Sequence, residues 1–140
     1  ARGNNFMNSM LKLGKNKTKL NIVSDQIGSP TPARLIADVT ALAIDARLKS
    51  GLYHLTPRGE TSWYGFAKAI FNLGLKVGLK LTLSSKNVNP IFTKEYPTPA
   101  SRPLNSRMDS TKLETALNIK LPDWKSQLDL TFNECINLNT

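Results

Sequence analysis

Apolar residues recur along this chain with two periods. Phe6, Met10 and Leu13 fall at i, i+4 and i+7, with Met7 and Leu11 beside them, so residues 4–16 are expected to form a helix. LNIVS, at 20–24, is the first expected strand. Pro32 suits the first turn of a second helix, where its missing N–H is not needed. That helix is expected to reach about Leu48, with Leu35, Val39, Leu42, Ala43 and Ala46 on one face, and Ser50-Gly51 stops it. LYHL, at 52–55, is a second expected strand. TPRGETSW is a turn leading to a helix capped by Thr61 or Ser62. Trp63, Phe66, Ala67, Ile70 and Phe71 form its apolar face, and Gly74 and Gly78 weaken its end. LKLTLSS, at 79–85, alternates and predicts a third strand. The stretch 87–103 then carries Pro90, Pro97, Pro99 and Pro103. Ile91, Phe92, Tyr96 and Leu104 punctuate it, which argues for an ordered extended segment rather than a linker. Asp109 can cap a helix over about 110–117. Pro122 opens a last helix with Trp124, Leu128, Phe132, Cys135 and Ile136 in one stripe.

This order predicts an α/β fold with mixed α+β character, several helices and a few short strands. The 140 residues suffice for one domain, expected to span 1–140. No glycine-rich strand-to-helix turn of the dinucleotide-binding kind is present. The opening ARGNNFMNSM, without an initiator Met, suggests a fragment. The opening residues are not expected to be a signal peptide, and no apolar run approaches the roughly 20 residues that span a bilayer. The single cysteine, Cys135, excludes an internal disulfide, points to a reducing compartment, and is expected to be a core thiol. The net charge of +9 invites polyanionic partners. Its densest cluster, Lys12, Lys15, Lys17 and Lys19, suits the negative pole of a helix end. No aromatic residues interleave with it as single-strand nucleic-acid binders require. Gly14-Lys15 is not a phosphate loop, because Ser9 and Asn16 occupy the places of the required glycine and hydroxyl residue.

Catalytic chemistry is sparse. Tyr64 and Lys68 in YGFAK have the spacing by which an ammonium one turn away acidifies a phenol, but here the spacing reads as coincidence. Asp25, Asp38, Glu60, Asp109 and Glu114 share no motif. His54, the only histidine, has no second metal ligand at useful spacing and is expected to be a hydrogen-bonded strand residue. Arg102 is more informative: TPASRPLNSR sets it in a rigid proline frame ahead of Asn105 and Arg107. A guanidinium so held suits a phosphate or pyrophosphate, and an ion pair or a solvated side chain is the alternative. SDQIGSPT, at 24–31, holds more polar groups than a turn needs. Gly28 permits a bend, Pro30 stiffens it, and Ser29 or Thr31 can cap the next helix, which leaves Asp25 and Gln26 unexplained.

Four blocks carry a resemblance. DQIGSPT, GLYHL, YPTPASRPLNSR and LPDW, with ARGNNFMNSMLKL before them, resemble in order the C-terminal part of the dTDP-4-dehydrorhamnose reductases. These are extended short-chain dehydrogenase/reductases, and the likeness covers essentially the whole chain. It implies that the chain is the substrate-binding portion of a Rossmann-type enzyme. The enzyme's N-terminal NAD(P)-binding domain and catalytic Tyr-x-x-x-Lys would lie upstream, so Tyr64 and Lys68 inherit no catalytic role. The whole enzyme would reduce dTDP-4-dehydro-L-rhamnose to dTDP-L-rhamnose with NADPH, or NADH in some members, for bacterial surface polysaccharide such as O-antigen. A divalent metal is left open, as is a homodimer.

The resemblance also implies a substrate site. Asn5, with Asn4 beside it, matches an Asn ahead of the first C-terminal helix. The loop Asp25 to Thr31, with Gln26 and Pro30, borders the pocket. Arg102 matches the diphosphate-contacting Arg, with Asn105 close by. Many relatives carry an Arg in the loop and SPT offers none, so another group must help hold the diphosphate. The fragment alone is expected to be inactive, to bind no cofactor or metal itself, and to be cytoplasmic, with no nucleic-acid or membrane partner. The alternatives are a non-catalytic regulatory relative of the same fold and a basic nucleic-acid module.

Overall fold

A computed structural model describes residues 5–137. Five helices are placed there: α1 (Phe6–Asn16), α2 (Ala33–Asp45), α3 (Trp63–Lys76), α4 (Thr111–Leu117) and α5 (Trp124–Asn137). The strands are short: β1 (Leu20–Val23), β2 (Ile27–Gly28), β3 (Thr61–Ser62) and β4 (Val88–Ile91). β1 pairs in parallel with β4, Leu20 opposite Val88 and Val23 opposite Ile91. β2 pairs antiparallel with β3. The mixed α/β class is as expected.

The body is α1, α3 and α5 packed over the β1–β4 pair. Ile70, Phe71, Leu83 and Phe132 are fully buried there, each stabilising the fold by about 1.5–3 kcal/mol through apolar burial. Met7, Met10, Trp124, Leu128 and the Cys135 thiol join the same cluster, as their periodicity predicted. Gly14 lets α1 meet α3 closely: a Cβ there would lie 2.9 Å from Phe71 Cε1. A second, smaller core holds Leu35, Val39, Leu113 and Leu121 under α2 and α4.

The helix starts follow capping chemistry. Asn5 Oδ1 accepts from the Asn8 N–H at 2.9 Å, so α1 begins at Phe6. Ser62 Oγ accepts from the Gly65 N–H at 3.0 Å and starts α3. α4 departs from the expected Asp109 cap: its N-cap is Ser110, without a side-chain cap bond, while Asp109 Oδ1, one residue earlier, accepts from the Thr111 N–H at 2.8 Å. α2 differs from expectation. Pro32 itself is its N-cap, with no side-chain cap, while the Thr31 hydroxyl donates to the Ser29 carbonyl. It ends at Asp45, where Arg47 adopts a left-handed φ of 49°, before Ser50-Gly51. Leu42 and Ala46 are exposed, so only Leu35, Val39 and Ala43 of its expected face turn inward.

Two expected strands do not form. LYHL runs irregularly, its backbone fastened by side chains, with Lys112 Nζ donating to the Leu52 carbonyl at 2.8 Å. His54 is exposed on this segment rather than bonded in a ladder. In 79–85 the alternation is real, since Leu83 is buried and Lys80 and Thr82 are exposed. The backbone nevertheless bonds to helix ends: Leu79 N–H to the Gly74 carbonyl and Leu83 N–H to the Gly14 carbonyl. The true partner of β1 lies inside the proline-rich stretch. Pro90 argued against a strand there, but β4 is an edge strand, where a missing N–H is tolerated. Gly28 also corrects an expectation. It sits within β2 without a left-handed φ, and a Cβ would make only ordinary contact with Ser106.

Candidate functional site

The loop after β1 is bonded along its length to distant segments. Ser24 N–H donates to the Ile91 carbonyl at 2.9 Å, which continues the β1–β4 ladder. The Asp25 carboxylate then takes the Thr93 N–H at 2.9 and 3.1 Å and the Thr93 hydroxyl at 2.6 Å. The Thr93 hydroxyl, opposed by desolvation and helped by the Thr93 N–H, holds the Asp25 carboxyl below the usual carboxylate range. Gln26 bonds on both sides, its Nε2 donating to Thr93 Oγ1 at 3.2 Å and its Oε1 accepting from Trp63 Nε1 at 3.1 Å. Asp25 and Gln26 therefore tie the loop to the 3₁₀ turn Thr93–Glu95 and to the start of α3.

Ile27 makes the next connection. Its N–H donates to the Leu104 carbonyl and its carbonyl accepts from the Ser106 N–H, both at 2.8 Å. Asn105 thus bridges to Ile27 like a third strand beside β2 and β3. This fixes the segment that follows Arg102 and Pro103 against the loop. Arg102 is exposed, and among the described residues it has no ion-pair or hydrogen-bond partner. Asn105 accepts from Arg107 at 3.1 Å (backbone N–H) and 3.3 Å (Nη1). Ser29 Oγ donates to the Pro57 carbonyl at 2.9 Å, and Pro30 and Thr31 are half-buried beyond it.

The structure thus brings together Asp25, Gln26, Pro30, Thr31, Asn105 and the backbone next to Arg102. Asn5 reaches them indirectly, because the ring of its neighbour Phe6 lies 4.8 Å from Trp63, centroid to centroid. Asn4 lies outside the described residues.

A cleft of about 440 Å³ opens beside this wall, between residues 28–29, 56–60 and 107–111. Two arginines on it are already neutralised. Arg58 binds Glu114 through two contacts of 2.9 Å. Arg107 binds Glu60 through Nε and through Nη2, the latter at 2.9 Å. The partner guanidinium holds Glu60, and Arg58 with the Leu121 N–H holds Glu114, below the ordinary carboxylate range. Asp109 is lowered too, first by its bonds to Thr111 and also by the charge of His54. Gly59 makes this turn workable: its φ is 78°, and a Cβ would stand 2.9 Å from Asp123 Oδ2.

Sequence reasoning missed Thr93, the Arg58–Glu114 and Arg107–Glu60 pairs, and the position of Trp63. The pairs join residues 56 and 47 apart and leave no local signal. Trp63 did leave one: it directly follows the cap Ser62, where a helix face is only beginning. The Lys68 ammonium sits over the Tyr64 phenol ring, 5.4 Å from its centroid. Gly74 packs against Leu81 and Leu79 inside α3 and offers no open turn to a pyrophosphate. Among the described residues no group of three or more His, Cys, Asp or Glu could hold a metal ion, and no helix is long and apolar enough to cross a membrane.

The sequence matches the RmlD substrate binding domain family over residues 1–137. It is 42% identical over 138 residues to the dTDP-4-dehydrorhamnose reductase of Escherichia coli K12, covering 96% of this chain and 46% of that protein. With the Salmonella typhimurium dTDP-4-dehydrorhamnose reductase the identity is 40% over 144 residues, covering 100% of this chain and 48% of that protein. The crystal structure of dTDP-4-dehydrorhamnose reductase from Bacillus anthracis in complex with NADP is similar with a TM-score of 0.82 at 33% identity, covering 96% of this chain and 44% of that one. The chain spans about half the length of the curated relatives it matches. By sequence and by fold, this chain belongs to the RmlD substrate binding domain family.

Proposed function

We propose that this chain supplies the nucleotide-sugar-binding wall of a dTDP-4-dehydrorhamnose reductase. Residues 1–140 form one substrate-binding domain, and an N-terminal Rossmann domain carries NADPH and the catalytic Tyr-x-x-x-Lys pair. The joined protein reduces dTDP-4-dehydro-L-rhamnose to dTDP-L-rhamnose in the cytoplasm. The observation that carries this reading is the two-sided backbone clamp of Ile27 on Leu104 and Ser106. It sets the Asp25–Thr31 loop against the segment bearing Arg102, whose guanidinium has no anionic partner among the described residues while Arg58 and Arg107 have theirs. An unpaired cation on an anchored frame is suited to a diphosphate.

In this reading Asp25, Gln26 and Asn5 shape the wall, and Arg102 with Asn105 faces the ligand. The chain itself moves no hydride and no proton. Calorimetric titration with dTDP tests the binding claim, and an NADPH-oxidation assay with dTDP-4-dehydro-L-rhamnose tests the division of labour. Weak saturable dTDP binding without turnover is expected. Ketoreduction by the isolated 140 residues, or absence of any dTDP binding, would overturn it.

A further inference from the structure

We propose that Trp63 is the ring platform of this site, presenting its indole face to a flat ring of the nucleotide sugar. The proposal rests on the nucleotide-sugar reading above. The two tryptophans differ sharply: Trp124 is 5% exposed and Trp63 is 44% exposed. Exposure of so large an apolar surface at the first residue of a helix needs a reason. Capping supplies none, because Ser62 does that work.

The indole is held in place on two sides. Its N–H is committed to Gln26 Oε1. Its ring meets Phe6 at 4.8 Å and 50°. Phe6 stacks on Phe66 at 5.3 Å and 14°, and Phe66 meets Trp124 edge-on at 6.1 Å. An aromatic ladder therefore runs from the buried core to the exposed ring. The polar side is equally determined. An indole N–H can only donate, so the Gln26 carbonyl must face it and the amide must face Thr93. The Thr93 hydroxyl gives its proton to the Asp25 carboxylate and keeps a lone pair for Gln26. Each group in the row has one orientation, and the ring at its end is pre-set before any ligand arrives.

Its position is the second argument. Trp63 touches Phe6, which adjoins Asn5, and Gln26, which adjoins Ile27 and hence Asn105. It touches two segments of the wall and connects to the third through Gln26 and Ile27. A rigid, half-exposed aromatic at such a point gives a ring a stacking surface without a further ordering cost. Gln26 is then a positioning residue, acting on the ligand through the indole.

The two indole N–H groups give separate signals in a nitrogen-15-labelled sample, so the native chain can be titrated directly. With dTDP or dTDP-L-rhamnose the Trp63 indole signal is expected to move with the binding curve, while that of Trp124 stays. Thymidine moving it identifies the base as the stacked ring, and a response to dTDP-L-rhamnose with none to thymidine or dTDP would overturn stacking on a flat ring. Trp63→Ala is expected to lower dTDP or dTDP-L-rhamnose affinity roughly tenfold or more, with Trp63→Phe recovering most of it. If calorimetry shows dTDP binding while the Trp63 signal is unmoved and the alanine variant binds equally, the platform is wrong and the wall stands. If no dTDP compound binds at all, both readings fall.

Discussion

The α1–α3–α5 body and the loop-built wall meet at Ser62 and Trp63, yet different forces hold them. In the body, Ile70, Phe71 and Phe132 lose all or nearly all contact with water, and close packing does the work. In the wall, few side chains are buried, and single hydrogen bonds join residues about 67 positions apart, from Gln26 and Asp25 to Thr93. Burial is tolerant of similar apolar residues. A directional row such as Asp25–Thr93–Gln26–Trp63 fails when one donor or acceptor is lost. The body should therefore dominate stability and the wall should dominate recognition.

The largest effect should come from the body. Phe71→Ala is expected to cost about 3–5 kcal/mol through the cavity it leaves, measured by denaturant unfolding. A loss below 1 kcal/mol would erase the distinction between the two regions. Next is Gly59→Ala, which combines a left-handed φ with a contact on Asp123. We expect a loss of about 1–3 kcal/mol, with faster amide exchange in residues 56–60 and little change in α1 and α3. Arg102→Ala should behave in the opposite way. Its stability should stay within about 0.5 kcal/mol of the parent, while dTDP affinity falls roughly 10- to 100-fold, read by calorimetry.

How far the sequence foretold this follows the same division. Phe6, Met10, Ala67, Ile70, Phe132 and Cys135 announced the body because helix periodicity is a local property. β4 escaped because Pro90 normally excludes a strand and its pairing to β1 spans 68 residues. LKLTLSS showed the right alternation and the wrong partner: Leu83 is buried, and Leu79 and Leu81 half-buried, against helices without a ladder. In the wall, turn chemistry could say that Asp25 and Gln26 were surplus, but not that Thr93 and Trp63 receive them. The resemblance marked Arg102 and the loop as neighbours in a pocket, and the backbone clamp at Ile27 joins the loop to Asn105 and leaves the Arg102 contact to be measured. His54 was misjudged because a lone histidine in an apolar run looks structural, whereas it is exposed near Asp109.

The smallest effect concerns acid. Asp25, Glu60 and Glu114 are depressed in the folded chain, from ordinary values of 3.8, 4.5 and 4.5. A depressed carboxylate contributes stability above its unfolded pKa and loses it as pH falls through the folded one. The wall should therefore hold unchanged from neutrality to about pH 5 and loosen below about pH 4, seen as faster exchange at Thr93 before the body unfolds. Asp25→Asn should remove the Asp25 share of that acid response. Loosening that begins well above about pH 5 instead would contradict the assignment to these carboxylates.

The central claim, that loop and arginine segment form one ligand wall, is tested most directly by mapping backbone amide shifts as dTDP is added to the labelled chain. The account predicts that the moving amides cluster at Asp25–Thr31, Trp63 and Arg102–Arg107 and saturate together. Shifts centred on Lys12, Lys15, Lys17 and Lys19 that vanish with added salt would contradict it.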